Sequence, residues 1–314
     1  MNGDDKSFSG FRNPEQKKTK GSSETHTRST SKKKQKNNID PTIPRLTQEQ
    51  IAGFSRVQDI SLDDFFAYCE TDKLGSTKNM DPNFLKWFVG FTEGDGCFTP
   101  RYTTDKRAKN PKKVTRLTFE IRQKDPRLMK RLQEKLGFGI GKDNTKSRGR
   151  MYAKFVVGDQ PSLKRIMHLF NGNLTLPKRT NDPKRVCYKE SACKSLQNAW
   201  ISGFLEAEGC FYASYRMHSI ASTDRNPDAI PRYRFTQKVT LTQQDTHGES
   251  EVLIAIQNLF GKVSDELYKV NDNTKRVELD ALRYHCAVLE YLLRFPLFGK
   301  KRLACIRSYR IFLL

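Results

Sequence analysis

The stretch "GFTEGDGCF" at residues 90–98 closes an apolar run, "FLKWFVGF", and sets two acids among three glycines. Taken alone it reads as a helix stop followed by a turn. An echo changes that reading. "WFVGFTEGDGCF" (87–98) aligns without gaps to "WISGFLEAEGCF" (200–211), at an offset of 113 residues. Gly94 is answered by Ala207 and Asp95 by Glu208. Downstream, "FEIRQKD" (119–125) matches "VTLTQQD" (239–245), and "LGFGIGK" matches "NLFGKV". Ordered matches at a nearly constant offset predict two copies of one domain of roughly 100 residues, an ordinary domain size.

Periodicity around the echo gives each copy the same element order. In the first, 82–95 reads as helix. Residues 97–104 and 114–124 read as strands joined by the basic loop "DKRAKNPKK". "PRLMKRLQEKL" (126–136) is an amphipathic helix with Pro in its first turn. Strands near 138–145 and 150–158 and a helix near 160–170 follow. The second copy is expected as helix 195–208, strands 210–218 and 232–243, and helix 248–259. Strands near 262–269 and 275–284 and helices 285–294 and 300–312 complete it. The expected class is α+β: two related lobes, 81–172 and 195–314, each ordered αββαββα, with a linker at 173–194.

The strands alternate, so each sheet has two unlike faces. Phe98, Tyr102, Leu117, Phe119 and Ile121 share one face in the first copy; Phe211, Tyr215, Phe235, Val239 and Leu241 share it in the second. The opposite face carries Thr99, Arg101, Thr103, Arg116, Thr118, Glu120 and Arg122, then Tyr212, Ser214, Arg216, His218, Arg232, Arg234, Thr236, Lys238 and Thr240. A solvated sheet face usually balances its charges, and this one is short of acids. Strand ribbons of this kind lie in a DNA major groove, where all four base pairs are distinguishable.

The repeated helix is also a packing surface. Gly90 and Gly94 are four apart and share a face, as do Gly203 and Ala207. Small residues at that spacing let two helix backbones approach closely, and the natural partner of one such face is the other. Asp95 and Glu208, one residue beyond, would then meet at a shared end. Two carboxylates there repel, and a divalent cation removes that cost. Glu93 and Glu206 point to another side of the helix and are assigned structural roles.

Totals support a polyanionic partner. The 314 residues carry 57 Lys+Arg against 35 Asp+Glu, a formal charge of +22. Such an excess suits nucleic acid first and an anionic membrane surface second. No apolar run approaches the roughly 20 residues of a membrane span. Seven cysteines form no C-x-x-C pair, and no secretory apolar region is evident, so reduced thiols inside the cell are expected. Residues 1–45, with the run "SKKKQK", are expected to be a basic disordered tail. Residues 46–80 carry "LTQEQIAGF" and "ISLDDFFAY", whose capping chemistry predicts two short helices packed on the larger body.

The two motif stretches, Phe88–Gly96 and Ile201–Gly209, resemble the LAGLIDADG motif, and the chain over residues 80–314 is similar to the double-motif LAGLIDADG homing endonucleases. The resemblance implies two pseudo-twofold-related lobes, motif helices packed at the lobe interface through Gly90, Gly94, Gly203 and Ala207, and antiparallel sheets forming a saddle for double-stranded DNA. It implies metal-dependent phosphodiester hydrolysis, with Asp95 and Glu208 holding Mg²⁺ or another divalent cation such as Mn²⁺. Gln123 and Gln243 at the strand ends are implied near the metals. Lys178 and Lys300 are the implied assisting cations, with Arg179 and Lys301 as competitors. The family context implies a monomer encoded in a mitochondrial or, second, a chloroplast intron. Its other activities make an RNA maturase acting on the host intron, or a non-catalytic DNA-binding protein, the alternatives.

Overall fold

Acids followed by proline start the helices of the first lobe. Asp81 accepts from the Asn83 N–H at 2.9 Å, Asp125 from Arg127 at 3.2 Å and Asp159 from Ser162 at 2.9 Å. Proline follows within two residues each time, where its missing N–H costs nothing. The computed structural model describes residues 60–72, 74–75, 80–105, 112–147, 149–176, 178, 197–218 and 232–312, all within one compact unit, Ile43–Leu314. The expected tail at 1–45, the first short helix of 46–80, linker residues 179–194 and Arg179 lie outside the described residues. So do the side chains of Thr103, Arg216, His218, Arg232 and Arg234.

The elements run α1 (Asp63–Thr71), α2 (Pro82–Asp95), β1 (Gly96–Asp105), β2 (Lys112–Gln123), α3 (Pro126–Leu136), β3 (Ile140–Ser147), β4 (Arg150–Val157) and α4 (Gln160–Phe170). The second lobe has α5 (Trp200–Glu208), β5 (Gly209–His218), β6 (Arg232–Gln244), α6 (Glu249–Leu259), β7 (Tyr268–Asn271), β8 (Thr274–Leu279), α7 (Leu282–Arg294) and α8 (Lys301–Phe312). Each lobe has one antiparallel sheet, ordered β1-β2-β4-β3 and β5-β6-β8-β7. The structure is α+β with two lobes of matching topology.

Burial follows the expected parity near the helices. Phe119 and Ile121 in one lobe, and Val239 and Leu241 in the other, are sealed under them. Phe88 meets Phe119, Phe155 and Phe170 across ring centroids of 6.1–6.4 Å. Parity fails at the hairpin tips. Tyr102, Tyr215 and Phe235 share the core parity yet stand exposed, and Tyr215 stacks on Phe235 at 5.8 Å. The hairpins outrun the helices that cover them.

Other boundaries differ for local reasons. Helix α5 starts at Trp200 rather than 195. Asn198 Oδ1 takes the Trp200 N–H at 2.9 Å, and the Tyr291 hydroxyl takes the Ser202 N–H at 2.9 Å. Strand β7 starts at Tyr268 rather than 262, because the stretch before it is held by α6. Gln257 Nε2 donates to the Ser264 and Glu266 carbonyls, and Ser264 N donates to Asn258 Oδ1. The start of the expected linker is core instead: Leu174 and Leu176 are buried.

Helix α1 seals the extension to the first lobe. Arg165 of α4 pairs with Asp72, both buried, and its guanidinium also donates to the Gly75 carbonyl at 2.8 Å. Tyr68 stacks on His168 at 4.3 Å, and Asn173 donates to the Ser61 carbonyl at 2.7 Å.

Candidate functional site

The motif helices α2 and α5 pack backbone to backbone. A Cβ on Gly90 would overlap the Trp200 carbonyl, and one on Gly203 would overlap the Trp87 carbonyl. These contacts are reciprocal, since Trp87 and Trp200 hold the same place in the two repeats. A Cβ on Gly94 would overlap that of Ala207. Gly94 also leaves room for Glu208, whose Oε1 lies 3.3 Å from where that Cβ would stand. Both helices end on an acid, at Asp95 and Glu208, and the chain turns at once into β1 and β5. The two carboxylates therefore converge at one end of the helix pair.

Glu93 and Glu206 do different work. Each is buried and accepts backbone N–H groups from the segment that closes its own lobe. Glu93 takes Thr175 and, at 3.2 Å, Leu176; Glu206 takes Gly299 at 2.9 Å and Lys301 at 3.4 Å. Burial pushes the Glu206 carboxyl upward, and these donors offset part of the push. The same segments then cross to the other lobe. Lys178 N donates to Glu249 of α6 at 3.0 Å, and Lys300 N donates to Asp125 at 3.0 Å.

At the strand ends, Gln123 donates its amide to Asp95 Oδ2. Gln243 is buried, and its Oε1 accepts from Lys178 Nζ at 2.7 Å. Its Nε2 is buried without a hydrogen-bond partner among the described residues. The lobes differ here because glutamate is one methylene longer than aspartate: Glu208 leans over Gly94, and Asp95 stays beside its own glutamine. Lys300 points outward, with Nζ on the Lys124 carbonyl at 3.3 Å. Its neighbour Lys301 enters the site instead, donating to the Ala207 carbonyl at 2.6 Å. Burial holds Lys301 below the ordinary lysine range, against the pull of Glu206, Asp95 and Glu208. Placement separates the two candidates: helix α8 starts at Lys301, and the turn before it directs Lys300 away.

Among the described residues no three His, Cys, Asp or Glu side chains cluster as a metal cage. Two converging carboxylates nevertheless suit a hard divalent cation, which takes one or two such ligands and fills its other positions with water and phosphate oxygens. The unpartnered Gln243 amide at the same end fits a site completed from outside the chain.

The opposite sheet faces are basic but ordered by acids. Arg101, Arg116, Arg122 and Tyr212 are exposed, while Thr99, Ser214, Thr236, Lys238 and Thr240 are half-buried. Two of the expected contact residues, Thr118 and Glu120, are buried. Thr118 donates to the Thr99 carbonyl at 3.0 Å, and Glu120, 2% exposed, is ringed by Arg101, Arg122 and Lys154. Burial pushes the Glu120 carboxyl up, and the arginine hydrogen bonds with the Lys154 charge outweigh it, leaving it below the usual carboxylate range. Strands β4, β7 and β8 add Tyr152, Lys154, Tyr268, Arg276 and Glu278 to these faces. Sequence reasoning followed only the first hairpin of each lobe and so missed them; register shows it, since Arg122 pairs Lys154 and Thr242 pairs Arg276.

A family model described as LAGLIDADG endonuclease matches residues 88–188 and 201–312. Probable intron-encoded endonuclease 4 of Neurospora crassa is 29% identical over 248 residues, covering 73% of this chain and 40% of that protein. The chain thus spans about two fifths of that relative's length. Intron-encoded RNA maturase bI4 of Saccharomyces cerevisiae is 26% identical over 139 residues, 42% of this chain and 20% of that protein. Among solved structures, meganuclease I-SmaMI bound to uncleaveable DNA shares the fold with a TM-score of 0.55 at 14% identity, over 73% of this chain and 90% of that one. The matched segments contain the motif stretches that end both helices, both sheets and both helix-end acids, and the chain belongs to the LAGLIDADG endonuclease family.

Proposed function

We propose that this chain is a site-specific DNA endonuclease that cuts both strands of a long target and so promotes homing of its own intron. The observation that carries the reading is the convergence of Asp95 and Glu208 at the end of the α2–α5 pair, one acid from each basic-faced lobe. Duplex DNA would lie along the two sheets as a saddle. Asp95 and Glu208 would hold the divalent cation, Mg²⁺ or Mn²⁺, against the scissile phosphates. A bound cation of this kind polarises phosphate and lowers the pKa of an attacking water. Gln123 fixes the Asp95 carboxylate. Lys178 is held at Gln243, and Lys301 beside the acids is the better-placed cation for charge that develops on the phosphate. One carboxylate per lobe assigns one to each strand.

The test is cleavage of a plasmid carrying the uninterrupted host-gene sequence by purified protein with Mg²⁺. The wild type is expected to linearise it, and Asp95→Asn/Glu208→Gln to leave it circular. Equal cleavage by both proteins would sink the catalytic assignment. The second reading, an RNA maturase for the host intron, rests on the similarity to the yeast maturase, and splicing of that intron in vitro separates it. A non-catalytic DNA-binding protein has no use for two retained acids. The chain is expected to act as a monomer, since both motif helices lie in one polypeptide. Its intron-encoded relatives favour an organelle gene, mitochondrial first and chloroplast second, which the flanking exons would identify.

A further inference from the structure

Each sheet fixes one arginine from several sides. In the first lobe, Arg122 donates through Nη2 to Glu120 at 3.0 Å and lies over the Tyr152 ring, 5.7 Å from its centroid. In the second, Arg276 donates through Nε to Thr242 Oγ1 at 3.0 Å, sits 3.7 Å from Glu278, and lies over Tyr268 at 5.7 Å. Glu278 also pairs with Lys238 at 2.8 Å. The acids come from different strands, β2 in one lobe and β8 in the other, yet the arrangement is the same: arginine on an aromatic ring, braced by a carboxylate. Both guanidiniums remain accessible, with side chains 57% and 32% exposed.

A guanidinium has five N–H donors. The bracing hydrogen bonds leave Arg122 with its Nε–H, both Nη1 protons and one Nη2 proton, and leave Arg276 with both terminal nitrogens, since its 3.7 Å contact to Glu278 is an ion pair rather than a hydrogen bond. That is enough for the two-pronged contact with guanine O6 and N7, the commonest specific arginine contact in the major groove. A fork held rigid before binding loses less side-chain freedom on contact and rejects partners of other shape. Phosphate contacts fix register but carry no sequence information, so sequence preference is the property that separates the two kinds of contact.

We propose that Arg122 and Arg276 each read one guanine, one per half-site, and that Glu120 and Glu278 are positioning residues that set this specificity without touching DNA. The proposal rests on the duplex-cutting function above. It is tested by selecting bound duplexes from a randomised pool with wild type, Glu120→Gln and Glu278→Gln, with thermal melting of each protein and affinity for random duplex measured alongside. The wild type should yield a consensus with a preferred guanine in each half. Each variant should lose about tenfold of that preference in one half only, and the two losses should fall in opposite halves. Affinity for random duplex should hold or rise, because each change removes a negative charge. A merely structural role would lower melting and weaken both halves together, and that outcome overturns the proposal. So does a variant that selects the wild-type consensus. Absence of any consensus with the wild type would instead defeat site-specific recognition itself.

Discussion

At the scale of single residues, position along the chain is a poor guide to which of two neighbours acts. Lys300 and Lys301 are adjacent, yet one rests on a surface carbonyl and the other is half-buried between carboxylates. Burial costs an ammonium its hydration, so the chain keeps one there only against nearby negative charge. Lys301→Met should slow cleavage by roughly 100-fold while leaving duplex affinity within a few-fold, as expected for loss of one charge-stabilising group. Lys300→Met should change the rate little. Single-turnover cleavage with a separate binding measurement distinguishes the two; equal effects would reject the assignment. Glu93 and Glu206 carry the same lesson. They are carboxylates like Asp95 and Glu208, but lying two positions earlier turns them to the side, where backbone N–H groups consume their oxygens.

At the scale of elements, the helix pair depends on what is missing from its surface. Gly90 and Gly203 face the opposing helix's carbonyls, so an added methyl must push two backbones apart. Gly203→Ala should destabilise the protein by about 2 kcal/mol, the usual cost of overpacking, and melting experiments read it directly. The same methyl placed at exposed Gly158, where it would meet only Thr118 Cγ2 at 3.6 Å, should leave melting nearly unchanged. Helix α7 offers a pH signature. His285 is buried, contacts the Gln237 carbonyl at 3.3 Å, and is held by burial below the ordinary value of 6.5. The folded state thus resists a proton that the unfolded state accepts. Its contribution is intact above pH 6.5 and is lost as pH falls below that value. The fall in melting temperature from pH 7 to pH 5 should be shallower in His285→Gln than in the wild type.

At the scale of the molecule, two lobes act as one body because each closing segment is tied to the other lobe, through Lys178 to Glu249 and Lys300 to Asp125. Arg131 adds a bond to the Phe298 carbonyl at 2.5 Å. Such crossing ties hold the two sheets in one relation. With a formal charge of +22, the complex should form largely through phosphate contacts. If six or more phosphates are neutralised, affinity for duplex should fall about 10³-fold between 50 and 200 mM salt. A flat salt dependence would contradict a saddle lined with cations.

The repeat at 87–98 and 200–211 was enough to establish two lobes and their element order and to single out Asp95 and Glu208 as equivalent helix-end acids, because helix and strand periodicities and a gapless echo are local properties of the chain. Strand parity likewise separated the basic face from the core face wherever a helix lay beneath. What tertiary structure decided lies where distant segments meet. It buried Glu120 and Thr118 on a face that parity alone makes solvent-facing, because neighbouring strands supply cations and a carbonyl there. It exposed Tyr215 and Phe235 where the hairpin outruns its helices. It turned Lys301 toward the helix-end acids and Lys300 away from them, and it gave Arg276 an equivalent of the Arg122 brace from unrelated positions. Burial and bracing depend on neighbours far away in sequence, and local periodicity carries no record of them.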